Sequence, residues 1–539
     1  MAATAAGKAR RILRCLRRAT GAAGSALRGE GAMATDDPHG MDPATWSDLV
    51  DAARALMWKV QGVQRDLPLT QPPSVAEIRE FMDSDDLQAI QIATPDGRQI
   101  QMVLVESLVS TQNLWREVGQ PLLRGTARPE TLPRAKPVRT WDELLHRLLE
   151  GWVMLLPPGG QTIGLHLDGL KQRSVGQPTT ERQVIGPKEG MVERFDTNIG
   201  LIRNRLRDPA LRVEVTNIGR RSRTPVALLY LGDVARPQLV DRTRQGLASI
   251  SVDFIRTEMD VAELTFQHGW TVFPLVEQTE RPDRVAFLLS QGRVALVVEG
   301  QPFAVVVPTT FWDFQHDGEG SLPGPATTVF IRILRYVGVF IAVGLPGLYV
   351  ALMTSGVSVL PSELAQTLSG TRLAIPYPVA TETIIMLVLV DVLSEATTQS
   401  ASAIGNALAI VGTLIVGQLI VQAHLASNLM MIVVATSIIG SFMTLKFSLS
   451  YAPRIWKYPV MILATVGGLL GWFTGLIFLL VHLSSLESAG VPYLSPLAGN
   501  APAADAWRIL LQPNRSRLRR RPRMLRPIQS VSARRGGRR

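Results

Sequence analysis

Between Pro376 and Ala435 the chain is apolar enough to lie in a bilayer, yet it carries three carboxylates, Glu382, Asp391 and Glu395. A carboxylate at the centre of a membrane costs roughly 2.5–3.5 kcal/mol on insertion scales, so such residues face a bundle interior or a watery cavity. Counted helically, Asp391, Ser394, Glu395, Thr398, Gln399, Ser402 and Asn406 recur at steps of three and four and make one polar stripe. The opposite face, with Leu389, Val392, Leu393 and Ala396, is bland. Pro376 and Pro378 prevent regular helix at the entrance to the stripe. In a continuous helix Glu382 would face away from Asp391, which puts it near a mouth or beyond the proline break. The stripe reads as the lining of a polar path made by Glu382, Asp391, Glu395, Asn406 and Gln418, with the carboxylates attracting cations. Carboxylates buried against neighbouring arginines for assembly alone are the competing reading.

The rest of the C-terminal half fits a membrane domain over residues 323–490. Val329–Met353 is long enough to span, contains Gly344, Pro346 and Gly347 as an expected kink point, and begins with Arg332 and Arg335, which place its start on the cytoplasmic side. Pro361–Leu373 reads as an interfacial helix. Further apolar segments run over Ile404–Val421, Leu429–Leu445 and Val460–Leu483, with Lys446, Arg454 and Lys457 in a loop. Gly405, Gly412 and Gly417 would let helices approach closely. Gln418 and Gln422 either extend the polar path or make hydrogen bonds between helices, and His424 is either a titrating gate or an interfacial residue. Basic residues at both ends of this half demand an even number of crossings, so four full crossings are expected, with one segment between Pro376 and Ala426 re-entrant or broken.

Residues 46–180 and 181–322 read as two α/β subdomains of a soluble region. Gln88–Ser107 alternates apolar and polar residues around Pro95-Asp96-Gly97, a hairpin signature, and a helix follows through Leu114–Leu123. Pro129–Val138 reads as a linker, Trp141–Leu149 as an amphipathic helix and Val153–Asp168 as a second hairpin. Met191, Phe195, Ile199, Ile202 and Leu206 stand at helical spacing. Leu211–Val215 and Val226–Leu231 read as strands, Pro237–Ile250 as a helix, and Val294–Val298 and Phe303–Val307 as strands. The turn Gly219-Arg220-Arg221-Ser222-Arg223-Thr224 either binds phosphate or anionic headgroups or is a solvated hairpin loop.

The net charge of +11 is local: 12 arginines follow Trp507, with no lysine and no acid among them. In this basic tail, 491–539, Arg515, Arg517, Arg519, Arg520, Arg521 and Arg523 are expected to fix orientation on the cytoplasmic side and touch anionic lipid. Aromatic interleaving is missing, which argues against nucleic acid as a partner. Residues 1–45 form a basic leader without the apolar core of a signal peptide; either its arm lies on headgroups, or it is disordered, or translation starts at Met33 or Met41. One cysteine, Cys15, leaves no intramolecular disulfide and no cysteine metal cluster, and the seven histidines show no ligand spacing. With no GxxxxGK(S/T), no GxGxxG after a strand and no HExxH, neither an enzyme, a cofactor nor a metal is expected.

Collinear motifs from Gln88 to the C-terminus resemble those of the A subunits of spore germinant receptors, the GerA family. They are GPKEG at Gly186–Gly190, Thr197-Asn198 with LIRNRL at Leu201–Leu206, GRRSRTPVALLY at Gly219–Tyr230, ERPDRVA at Glu280–Ala286 and GRVALVVEGQPFAVVVPTTF at Gly292–Phe311. In the apolar half they continue as LPGLYVAL at Leu345–Leu352, PYP at Pro376–Pro378 with Glu382, IGNALAIVGTLIVGQ at Ile404–Gln418, VPYLSPLA at Val491–Ala498 and RRRPR at Arg519–Arg523. The resemblance implies two soluble α/β subdomains followed by an all-α polytopic membrane domain in the inner spore membrane. It also implies a transporter-like B subunit and a lipoprotein C subunit as partners, and homo-oligomerisation around an ion path. Leu387 stands where the family commonly has an acid, Asp391 where it has Glu, and Ala401-Ser402-Ala403 where it has Pro-Arg-Pro. A non-conducting scaffold or amplifier paralogue is therefore the alternative, and a secondary transporter a third reading that lacks matched interrupted repeats.

Overall fold

The computed structural model describes residues 68–69, 71–167, 186–266, 269–316, 325–355, 375–399, 417–444, 446–497 and 521–529, with isolated residues at 176, 178, 181, 361–363, 366, 370 and 372. The leader, most of the Pro361–Leu373 segment and most of Ile404–Val421 lie outside them. Two compact units emerge: Met1–Gln267 with Val276–Pro308 and Ser516–Arg539, and His268–Leu275 with Thr309–Arg515.

The first unit is α/β and is built from one layout used twice. In the first half, helix α1 (Val75–Phe81) precedes strands β1 (Leu87–Ala93) and β2 (Gln99–Val105), and a helical run α2 (111–123) leads to β3 (Ala135–Pro137). Helix α3 (Trp141–Leu149) then precedes β4 (Trp152–Leu156) and β5 (Ile163–His166). In the second half, α4 (Phe195–Arg205), β6 (Leu211–Ile218), β7 (Thr224–Leu231), α5 (Pro237–Ser249) and α6 (Glu258–Phe266) are followed by β8 (Glu277–Thr279), α7 (Pro282–Ser290), β9 (Val294–Val298) and β10 (Ala304–Val307). The antiparallel sheets run β1-β2-β4-β5-β3 and β6-β7-β9-β10-β8, the same order in each half. Alternation decides what covers each face. Val103, Val105, Met154 and Leu156 pack under α1 and α3, while Met102, Leu104, Val153 and Leu155 pack under α2. In the second sheet Val213, Leu229, Val297 and Val306 meet Ile199 and Ile202 of α4 and Val285 and Leu289 of α7.

Both expected hairpins and the helix Trp141–Leu149 are present, the last capped by the Thr140 side chain. The expected linker Pro129–Val138 instead contains β3, and it tolerates Pro137 because β3 is the edge strand of its sheet. Residues 186–194 stay outside α4, and α6, β8 and α7 were not expected.

A buried ion pair joins the two halves. Arg203 on α4 donates to both carboxylate oxygens of Asp86, from Nε at 2.5 Å and Nη2 at 2.6 Å, and also to Ser84 Oγ at 2.8 Å. The same loop covers the free edge of β6: Asp85 N donates to Val213 O, Val213 N to Ser84 Oγ and Val215 N to Asp85 Oδ2. Burial by itself would raise the Asp86 carboxyl; the Arg203 charge and hydrogen bonds from Arg203, Ser84 and Ser107 outweigh it and hold the group below its ordinary value.

The end of the chain also belongs to this unit. Arg521 donates to Ser290 O at the C-terminus of α7 at 2.8 Å and to Gln529 O at 2.9 Å, Gln529 donates to Asp233, and Ile528 N donates to Val234 O. Leu525 is buried. Arg521, expected at lipid, is thus held by protein carbonyls. Arg515, Arg517, Arg519 and Arg520 lie outside the described residues.

The second unit is helical. Helix α8 (Phe311–Gln315) precedes α9 (Pro325–Thr354), α10 (Val379–Gln399), α11 (Asn428–Phe442) and α12 (Phe447–Ser485), and a short hairpin of β11 (Glu487–Ser488) and β12 (Val491–Pro492) closes it. Helix α12 is not one rod. Gly468 has φ 56° and ψ −137°, and Trp456 lies 5.9 Å from Phe478 and 5.1 Å from His482 between ring centroids, so 447–467 and 469–485 fold back on each other. The single apolar segment expected at Val460–Leu483 is therefore corrected to the parts of two antiparallel helices meeting at a glycine. Arg454 and Lys457, expected in a loop, sit within the first of them because the helix starts earlier, at Phe447. The helices come close at Gly338 against Gly440 and at Gly347 against Trp472 and Val460. Gly405 and Gly412 lie outside the described residues, and among those described Gly417 meets the Met431 methyl.

Replacing Arg203 by Met strands a buried carboxylate, so urea unfolding of the full chain should show a loss of about 3–5 kcal/mol in the first unit. Because the folded Asp86 is held below its ordinary value, its contribution is present above that value and lost as pH falls through the depressed one. Wild type should therefore lose stability on acidification below the ordinary carboxylate range, and Asp86→Asn should flatten that part of the profile. In the second unit Gly468→Ala, which needs a side chain at φ 56° and against Ser355, should lower the thermal midpoint.

Candidate functional site

The apolar outer surface of the helical unit frames the site. Ile385, Val388 and Val392 on α10, Ile432 and Ile439 on α11, and Val466, Leu470 and Ile477 on α12 are exposed. Among the described residues two helices are long and apolar enough to cross a membrane, Ala326–Thr354 and Ser448–Ser485, each with a mean hydropathy of 2.0. The fold-back at Gly468 divides the second of these. Exposed aliphatic area on this scale marks a lipid or partner-helix face rather than a watery one.

Helix α10 carries three of the expected residues and the structure sends them to different places. Pro376 and Pro378 are exposed just ahead of it, and Pro378 O accepts the first-turn bond from Glu382 N at 3.0 Å. Glu382 is buried, 1% exposed. Its Oε1 accepts from Ser427 N at 2.7 Å, and its Oε2 lies 3.2 Å from Arg372 Nη2. Ser427 is the N-cap of α11, where unpaired N–H groups favour a negative charge. This carboxylate therefore fastens the start of α10 to the start of α11.

Asp391 lies further along α10 on a different face. Lys457 Nζ donates to its Oδ1 at 2.9 Å and Tyr458 Oη donates to its Oδ2 at 2.6 Å. Lys457 is buried, and Arg454 one turn before it stacks 5.3 Å over Phe442 and 5.9 Å over Tyr451. Beside the ion pair is a cavity of about 10 Å³, whose polar lining is Asp391, Ser394, Ser437, Ser441, Arg454 and Lys457. That volume is the size of one water. Ser437 Oγ donates to Ala342 O and so ties this wall to α9. The lining holds two cations and one carboxylate.

Glu395 is exposed one turn beyond Asp391, and Gln418 is exposed at the described end of the preceding apolar segment. Asn406 lies outside the described residues. Gln422 and His424 are also exposed, with His424 in a turn at φ 56°. The structure thus brings Asp391 and Ser394 together, sets Glu382 apart against Arg372, and adds Arg454, Lys457, Tyr458, Ser437 and Ser441. The available signal for the last group was Arg454 and Lys457 three apart inside a run that stays helical on both sides. Among the described residues no cluster of His, Cys, Asp and Glu is arranged to hold a metal.

A family model described as Bacillus/Clostridium GerA spore germination protein matches residues 77–524. Spore germination protein KA of Bacillus subtilis (strain 168) is 31% identical over 81% of this chain and 84% of its own length. Spore germination protein B1 of the same organism is 32% identical over 81% of this chain and 93% of its own length. The solved N-terminal domain of the A subunit of the Bacillus megaterium spore germinant receptor GerK3 covers 44% of this chain and 94% of that one at 24% identity, with a TM-score of 0.34.

Because the Asp391–Lys457 pair is buried on the lysine side, Lys457→Met should destabilise the helical unit more than the Asp391→Asn/Lys457→Met double variant. A double-mutant cycle on thermal midpoints in detergent measures this coupling, expected at about 0.5–3 kcal/mol.

Proposed function

The chain belongs to the GerA family of spore germination proteins, and from that premise we propose that it is a non-enzymatic membrane subunit of a nutrient-responsive germination receptor. It oligomerises around an ion path that opens when a partner subunit binds the germinant. A transporter-like B subunit and a lipoprotein C subunit are the proposed partners, and the inner spore membrane the proposed location. The observation that carries this reading is Asp391 on α10, a carboxylate inside an apolar helical unit, next to a polar cavity and followed one turn later by the exposed Glu395. In the proposed oligomer the exposed Glu395 and Gln418 are the residues of α10 and the segment before α11 that we assign to the path, together with the cavity beside Asp391.

The proposed topology has an even number of crossings. The tail segment 521–529 packs within the same unit as the α/β halves, which supports assigning both to one side of the membrane, proposed as cytoplasmic. We take α9, α10 and the two halves of α12 as the four crossings; this moves the re-entrant place from the expected stretch between Pro376 and Ala426 to α11, which at 15 residues is short of a full span.

A scaffold that conducts nothing is the second reading. It is favoured by the neutralisation of both Glu382 and Asp391 inside the unit, by Arg372 and Lys457. Cation efflux from germinating spores carrying Asp391→Asn/Glu395→Gln separates the two, provided levels of this chain and its partner subunits are checked. The conducting reading expects efflux to be abolished at normal levels. Normal efflux moves the protein to the scaffold reading.

A further inference from the structure

The β6–β7 turn has no part in the proposed ion path, yet it is a strongly exposed basic feature of the α/β unit. Arg220 and Arg221 are 77% and 80% exposed along their side chains, and Arg223 is exposed with φ 45°, a left-handed conformation that non-glycine residues seldom adopt. The turn is fixed to the segment ahead of α6. Arg220 N donates to Val252 O, and the N–H groups of Arg221 and Ser222 both donate to Asp253 O, at 2.9, 3.0 and 3.1 Å. On that segment Phe254 is 66% exposed while its neighbour Ile255 is 4% exposed. Buried Ile255 anchors the backbone and so holds the Phe254 ring out into solvent. Arg256 follows, 79% exposed along its side chain, and Gln301 Nε2 binds its carbonyl.

The acids nearby do not cancel this charge. Asp253 stands 3.6 Å from both Arg220 and Arg221 and is itself 58% exposed, and Asp260 pairs with Arg256 at 3.5 Å. Exposed pairs at such distances bind weakly and are screened by salt. Four arginines against two aspartates leave the tip positive around a projecting aromatic ring. A basic collar around an apolar wedge is the chemistry of a surface that sits at anionic headgroups with its ring among the upper acyl chains. A protein partner with an acidic rim would satisfy the collar equally. The chain itself favours the bilayer, because β10 leads on to α9, a helix long enough to cross one.

We propose that the tip formed by Arg220, Arg221, Arg223, Phe254 and Arg256 docks on the surface of an anionic lipid bilayer. The proposal rests on the membrane placement given above. It is tested on the full chain carrying Cys15→Ala and Phe254→Cys, labelled at residue 254 with a polarity-sensitive fluorophore and reconstituted into nanodiscs. Discs of phosphatidylcholine alone are compared with discs that also contain phosphatidylglycerol. A blue shift and loss of access to an aqueous quencher are expected in the anionic discs only. Both should reverse at high salt and disappear in Arg220→Glu/Arg221→Glu, with a partial loss in Arg220→Gln/Arg221→Gln. Identical spectra in the two discs overturn the proposal. So does a shift caused by inorganic phosphate in neutral discs, which would make the tip a soluble-anion site. A shift in detergent that grows with protein concentration also overturns it, in favour of an interface between proteins. Failure of the chain to enter neutral discs would instead bring down the membrane placement, and this proposal with it.

Discussion

A charge taken out of water must be met by an opposite one, and the fixed points of this protein are where that requirement is answered. Arg203 with Asp86, Glu277 with Arg284, Glu382 with Arg372 and Asp391 with Lys457 are each at least partly withdrawn from solvent. Desolvation makes such pairs weak sources of net stability compared with well-packed apolar residues, but removing one partner is strongly unfavourable. Their effect is therefore on which arrangement forms. Arg203 can meet Asp86 and Ser84 only if α4 of the second half lies against the first, and Lys457 can meet Asp391 only if the first arm of α12 lies along α10.

The repeated layout of the α/β unit follows the same logic at larger scale. Each half buries both faces of a five-stranded sheet, which leaves strand edges as its exposed backbone. One of these, β6, is closed by the loop 84–86 of the other half, and that loop also carries the acceptors for Arg203. Edge cover and ion pair thus share one loop, so the halves cannot separate without exposing a strand edge and stranding a charge together. The tail segment is fastened to the second half alone, with Arg521 at the C-terminal end of α7, where a cation is favoured.

Elements with strong local periodicity were legible in the sequence. Trp141–Leu149 shows because five of its nine residues are buried at helical spacing, and β1–β2 because alternation brackets a Pro-Asp-Gly turn. Strand β8 was not, since Glu277-Gln278-Thr279 offers no apolar signal and Glu277 is buried on the strength of Arg284, seven residues away. The fold-back at Gly468 was hidden because both arms are apolar, and periodicity is blind to direction. Asp391 stood out as a carboxylate in an apolar run, but its partner Lys457 comes from 66 residues further on, and no local pattern announces such a pairing. The doubled strand order is likewise a fact of long-range pairing.

Two of the three carboxylates of α10, Glu382 and Asp391, differ in what would release them. Glu382 accepts from a helix N-cap and faces an arginine whose other bond is to Tyr377 O, so moving it disturbs the start of two helices. Asp391 is half-buried and, among the described residues, held by the side chains of Lys457 and Tyr458, beside a cavity with room for a water. Parting side chains next to a space the size of a water costs less than unravelling a helix terminus, because water can replace the lost bonds. If α10 and α12 shift relative to one another, the yielding point is therefore at Asp391, while Glu382 acts as the pivot. A path and a scaffold would both need that pivot; only a path needs the other end to yield.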